Sequence, residues 1–137
     1  MLAEVWVTLV GMKHRALTEA DVKFEITCMP EDIPVRGNAI DTGDPEEDRR
    51  IEDEIISDLD HGNEWAWCCV RVRATWKGFT GEDYLGGCCY GSRAEFEAGG
   101  YLADMEAQAL ADLNASIART VEEIGSLLVT LPATDRP

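Results

Sequence analysis

Hydrophobic and polar positions alternate in some stretches of the chain and recur at helical spacing in others. Val22, Phe24, Ile26 and Cys28 alternate with Lys23, Glu25 and Thr27, which predicts a strand with one buried and one wet face. Residues 65–76, WAWCCVRVRATW, form the longest strand signal. Ala66, Cys68, Val70, Val72, Ala74 and Trp76 share one face of it, and Trp65, Trp67, Cys69, Arg71, Arg73 and Thr75 share the other. Residues 77–81 supply turn chemistry, and residues 83–90 predict the returning strand of a hairpin, with Gly86 and Gly87 marking a bulge or a close backbone approach. Near the start, residues 5–10 (VWVTLV) are β-branched and aromatic and predict one more strand.

Two stretches follow the helical period instead. Ile51, Ile55 and Leu59 lie at i, i+4 and i+8 on one stripe. Asp44 suits the N-cap of this helix, Pro45 its first position, and Glu46, Glu47 and Asp48 its electropositive first turn. Glu47, three residues after the cap, completes a capping-box pattern, and Gly62 marks the end. A second, longer stripe runs through Leu102, Met105, Ala109, Leu113, Ile117, Val121 and Ile124, entered after Gly99-Gly100 and bounded by Gly125 and Pro132. Residues 11–21 read as turn, 29–42 as a long loop punctuated by Pro30, Pro34, Gly37 and Asn38, and 91–98 as a short acidic turn containing Phe96. The order strand, strand, helix, strand, strand, helix predicts an α+β two-layer sandwich: an antiparallel sheet of about four strands with two helices packed on one face. Residues 1–131 form the expected single domain and 132–137 a flexible C-terminal tail.

A chain of 137 residues can bury a core without staples. No stretch approaches the roughly 20 apolar residues of a membrane span, and the first fifteen residues lack the signal-peptide pattern, so the expected location is the cytosol. Charge changes the picture more. Acidic residues number 27 against 12 basic ones, a net charge of −15. Such a field repels nucleic acid and anionic membranes and attracts a basic partner, and it also keeps a small protein soluble. The five cysteines, an odd number, imply reduced thiols. The adjacent pairs Cys68-Cys69 and Cys88-Cys89 point to opposite faces of a strand, so neither grips a metal as Cys-x-x-Cys does; buried small hydrophobes are the expected role, with no metal and no cofactor.

Asp41-Thr42-Gly43 matches the aspartic-protease tripeptide, but an acidic helix start follows at once in place of a β-barrel context. Asp41, Asp44 and Glu46 do not keep the spacing of a calcium loop. His14 and His61 are the only histidines, and neither a Gly-x-Ser-x-Gly elbow nor a phosphate-binding loop is present. No catalytic residues are assigned; a thiol or metal enzyme, for instance a cysteine with His61 as base, stands as the remote alternative. Asp44, Glu46, Glu47, Asp48, Glu54 and Asp58 are the candidate partner-binding residues. Helical neighbours stand about 5–6 Å apart, close to the spacing of about 7 Å between successive phosphates of a DNA strand, so a row of carboxylates here would imitate a polyanion. Trp65 and Trp67 offer a second candidate surface, for homodimer formation, against the alternative that they are simply the covered half of a sheet.

The segments EDEIISDLDHGNEWAWCCVRVRATW, DYLGGCCY and GGYLADMEAQALADL, in this order, resemble small acidic accessory proteins of tailed phages and prophages over residues 24–115. The resemblance carries over no catalytic or ligand residue. It implies a setting: proteins of this size and charge include anti-CRISPR and anti-restriction inhibitors that occupy the nucleic-acid surface of a host complex. The expected function is thus a non-enzymatic acidic binding protein in the host cytosol, its anionic surface set against a basic site of a host protein or nucleoprotein complex. The alternative is a self-associating structural or regulatory phage module built on the Trp65/Trp67 face.

Overall fold

A computed structural model describes residues 6–9 and 12–132, with side chains from Arg15 onward. The strands are β1 (Trp6–Leu9), β2 (Met12–Arg15), β3 (Lys23–Pro30), β4 (Cys68–Trp76) and β5 (Phe79–Cys88), and the helices are α1 (Pro45–Asp60), α2 (Arg93–Ala98) and α3 (Tyr101–Thr130). The fold is α+β. β3, β4 and β5 form a three-stranded antiparallel sheet in sequence order, and β1 and β2 form a separate antiparallel pair.

The sheet follows the alternation in the sequence. Val70, Val72 and Ala74 of β4 are fully buried on one face, opposite Cys28, Ile26 and Phe24 of β3. The other face carries Arg73 between Glu25 and Glu82 and stays polar. β4 and β5 are joined by Lys77 and Gly78, whose φ values of 45° and 83° give the positive-φ pair that matches the twist of a tight hairpin. The apolar face is covered by α3, whose Met105, Ala109 and Leu113 are buried against it. Full burial of a Val or Leu side chain stabilises by about 1.5–3 kcal/mol, so this face dictates where the helix lies. Contact is closest at Gly81, where a Cβ atom would stand 2.2 Å from the backbone nitrogen of Leu113. α2 closes one end of the core with Phe96, fully buried, stacked on Trp65 at 5.5 Å and edge-on to Tyr90 at 5.3 Å.

α1 does not join this layer. Its stripe packs Ile55 with Val35, Ala66 and Trp67, flanked by Ile51 and Leu59, in a second small core at the end of the sheet where β4 begins. The indole of Trp67 is 6% exposed and its Nε1 donates to the carbonyl of Ile33 at 2.7 Å. Polar Asn114 of α3 is a further tie: its side chain accepts from the Leu17 amide at 2.9 Å and donates to the Leu17 carbonyl at 3.0 Å, as a strand edge would.

These findings revise the expected four-stranded sheet with two helices on one face. The main sheet has three strands because residues 12–15, read as turn, pair with Trp6–Leu9 instead of leaving that strand for the sheet. One long helix, α3, covers the face, whereas α1 follows the apolar residues of the 31–42 loop and of a 3-10 turn at residues 64–66. The strand signal at 65–76 begins only at Cys68, and Gly81, read as turn, lies inside β5. α3 runs through Gly125 to Thr130, and Leu131 turns extended ahead of Pro132. Residues 5 and 10 of the first predicted strand, and the predicted tail beyond Pro132, lie outside the described residues.

Candidate interaction surface on the first helix

The loop entering α1 is built as its sequence suggests. Asp44 is the N-cap and accepts from the Glu46 amide at 3.0 Å, with Pro45 at the first helical position. Asp48 reaches back to accept from the Thr42 amide at 2.9 Å and the Thr42 hydroxyl at 2.6 Å, and Asp41 accepts from the Gly43 amide at 3.3 Å. Asp-Thr-Gly is therefore a loop that hydrogen-bonds itself to a helix start, a use that accounts for all three residues.

Glu47 turns away from the cap, against the capping-box expectation. Its carboxylate accepts from Arg50 at 2.5 and 3.1 Å, and the same guanidinium donates to Glu54 at 2.6 Å. The Arg50 hydrogen bond holds the Glu47 carboxyl below the ordinary carboxylate range, and Arg50 is raised in turn. Arg36, from the preceding loop, bridges Glu52 and Asp53, and Glu52, only 7% exposed, accepts from the Gly37 amide at 2.6 Å. The expected unbroken anionic ridge is thus interrupted: of the six candidate residues, Asp44 and Asp48 serve the loop, and Glu47 and Glu54 share an arginine. A carboxylate ladder at phosphate spacing does not survive this pairing.

What remains is Glu46 in the first turn and the carboxylates of the far end. Glu46 and Asp58 make no side-chain hydrogen bond or ion pair with a described residue, and neither does Asp60, which the sequence reading did not single out. The last turn of α1 holds no basic residue, so Asp58 and Asp60 sit against the negative end of the helix dipole, each at a cost of about 0.3–1 kcal/mol. Asp53, Glu54, Ser57 and Asp58, with Arg50 at one side, surround a shallow open depression of about 460 Å³ on the outer face. Arg50, Ser57 and Asp60 were missed; the i, i+3 and i, i+4 spacing of Glu47, Arg50 and Glu54 was the available signal for the first of them.

The second candidate surface is not on the outside. Trp67 is buried in the α1 core and Trp65 is half-buried on Phe96, because Trp65 lies in a 3-10 turn and Trp67 is the extended residue that ends it, ahead of the strand. The cysteine pairs do alternate, with Cys68 and Cys88 buried, Cys69 half-buried and Cys89 exposed. Burial pushes all five thiols upward, opposite to the direction of an activated nucleophile. His61 caps the C-terminus of α1, its Nδ1 at 2.6 Å from the Ser57 carbonyl. Among the described residues no three metal-ligating side chains come together, and no helix is long and apolar enough to cross a membrane. Comparison of the chain with family models, with curated proteins and with solved structures gave no match.

Proposed function

We propose that this chain is a non-enzymatic acidic binding protein, of the phage accessory type that its sequence resembles. In this reading it inhibits a host nucleic-acid-handling defence complex by engaging a basic surface with the C-terminal half of α1. The observation that carries the reading is the placement of Asp58 and Asp60: two carboxylates without a described partner, in the one turn of the helix where they destabilise it. Packing does not require them: α1 is seated by Ile51, Ile55 and Leu59, and both carboxylates are exposed. The depression beside Glu54 adjoins Asp58 on the exposed side of the helix. Between residues 41 and 60, ten acidic residues stand against Arg49 and Arg50, and Arg36 adds one more cation from the preceding loop, so the segment remains strongly anionic after these ion pairs are counted. A lysine or arginine of a partner fits the depression by charge, between Asp58 and Glu54.

The test is a paired measurement on an Asp58→Asn/Asp60→Asn variant. The fold should be stabilised by about 0.3–1 kcal/mol per site in urea denaturation, while capture of basic proteins from the lysate of the native host weakens. Captured proteins should be released as ionic strength rises from about 0.1 M to about 1 M, where the screening length falls from about 10 to about 3 Å. The protein should also displace duplex DNA from a captured partner. A variant that is no more stable and binds as before would remove the assignment.

A further inference from the structure

α3 outruns the sheet it covers. Its buried residues, Met105, Ala109 and Leu113, all lie in its first half, and Ile124, Leu127, Leu128, Val129 and Leu131 are exposed, Val129 at 84%. These five make up most of the large hydrophobic side chains exposed among the described residues, and four of them, Ile124, Leu127, Leu128 and Leu131, keep the i, i+3, i+4, i+7 spacing of a ridge on the overhanging turns. Immediately behind the ridge the same helix floors an apolar groove of about 620 Å³, where Ala115 and Ala118 leave space between Leu17 on one side and Trp76 and Phe79 on the other.

We propose that a second copy of this chain occupies the groove, its α3 antiparallel to the first, so that each ridge lies in the other's groove about a two-fold axis crossing the helices near Val121. Such an axis sets residue 124 opposite 118 and residue 127 opposite 115, large against small in both cases, and the surface is self-complementary as an isologous dimer demands. Charge favours the same partner. The chain as a whole repels its copy, with a net charge of −15, but this end of the molecule collects cations. Lys23 pairs opposite Thr75, and Lys77 occupies the hairpin turn with its ammonium 5.0 Å from the centre of the Trp76 ring; Arg15 also lines the groove but is held by Asp21 at 3.0 Å. Lys77 makes no ion pair with a described residue. The overhang, in contrast, carries Glu122 and Glu123 and no basic residue between Arg119 and the helix end at Thr130, so an antiparallel approach brings acid to base and a parallel one brings like to like. The acidic half of α1 lies at the other end of the sheet and is left clear.

Sedimentation velocity on the full chain from about 1 to about 200 μM, a span that brackets micromolar dissociation constants, should show a species of twice the 15.1 kDa chain mass. A Leu127→Glu/Leu128→Glu variant should be monomeric throughout with unchanged far-ultraviolet dichroism at low concentration. Lys77→Glu should weaken the dimer at low salt, and pairing it with Glu122→Lys/Glu123→Lys should restore it. A wild-type chain that stays monomeric, as it would if its own N-terminal hairpin filled the groove, overturns the proposal. So does a dimer indifferent to the leucine substitutions, and so does a hetero-partner that excludes the second copy.

Discussion

Replacing Gly81 by alanine should be the most damaging single-methyl change in the protein. The added Cβ would stand 2.2 Å from the Leu113 nitrogen, 2.3 Å from the Ala109 oxygen and 2.7 Å from the Leu113 Cα, all of them helix backbone. Ordinary contact begins at about 3.4 Å, so α3 must retreat by about 1 Å along its central turns. A gap of that size forfeits about a quarter to a half of each dispersion contact it opens, and the residues that lose contacts are Val72, Ala74, Ala109 and Leu113, all fully buried. Overpacking usually costs about 1–3 kcal/mol; with backbone on both sides the upper end applies, about 3 kcal/mol, a large share of the roughly 5–15 kcal/mol that holds a domain together. Followed by tryptophan fluorescence in urea, with a slope of about 2 kcal/mol/M, the midpoint should fall by about 1.5 M. Gly91→Ala is the control, because its Cβ would meet the end of a side chain rather than backbone: the exposed Glu95 carboxylate, at 2.7 Å, which can swing aside at the loss of its hydrogen bond from the Gly91 amide. Equal midpoints for the two variants would show that α3 does not rest on the β5 backbone.

Three further outcomes are expected. Asn114→Ala should cost about 2 kcal/mol, since it leaves the half-buried amide and carbonyl of Leu17 without partners, and hydrogen exchange at the Leu17 amide should speed up accordingly. Glu82 accepts from Tyr84 and from Arg73 at 2.7 Å, which holds its carboxyl below the ordinary range; its stabilising contribution is present above the unfolded carboxylate pKa of about 4.3 and is lost as pH falls through the lower folded value. A Glu82→Gln variant should therefore show a flatter decline in melting temperature below pH 4 to 5, and an unaltered slope would count against the pairing. Cys89, exposed, should be the first thiol to react with a disulfide reagent in the native protein, slowed by its raised pKa, while Cys68 and Cys88 react only on unfolding.

Local chemistry was legible wherever one residue type does one job. The Asp44 cap, the Gly62 stop, the inward stripe of α1 and the alternation of β4 all follow from spacing and propensity alone. Tertiary choices were not. Nothing in Ile51, Ile55 and Leu59 says whether their stripe meets a sheet or a loop, and the apolar residues that decide it are Val35, read as part of a loop, and Trp67, read as a strand residue either on a partner surface or on the covered half of a sheet. Gly81 reads as a turn residue next to Gly78, yet its role is to admit a helix from 30 residues further along the chain. In the candidate surface, the density of carboxylates was plain, but their neutralisation by Arg50 and Arg36 depends on rotamers and on a loop, which composition does not record.

The placement of α3 bears on how the molecule is assembled. Every other layer of the main core precedes it in the chain, so during synthesis the β3–β4–β5 sheet can pair while Val70, Val72 and Ala74 still face water. Leu17 must wait nearly 100 residues for Asn114. The nascent chain therefore holds an open apolar face until the first half of α3 has left the ribosome, a long-range closure that slows folding and makes the unfinished protein a natural substrate for chaperones.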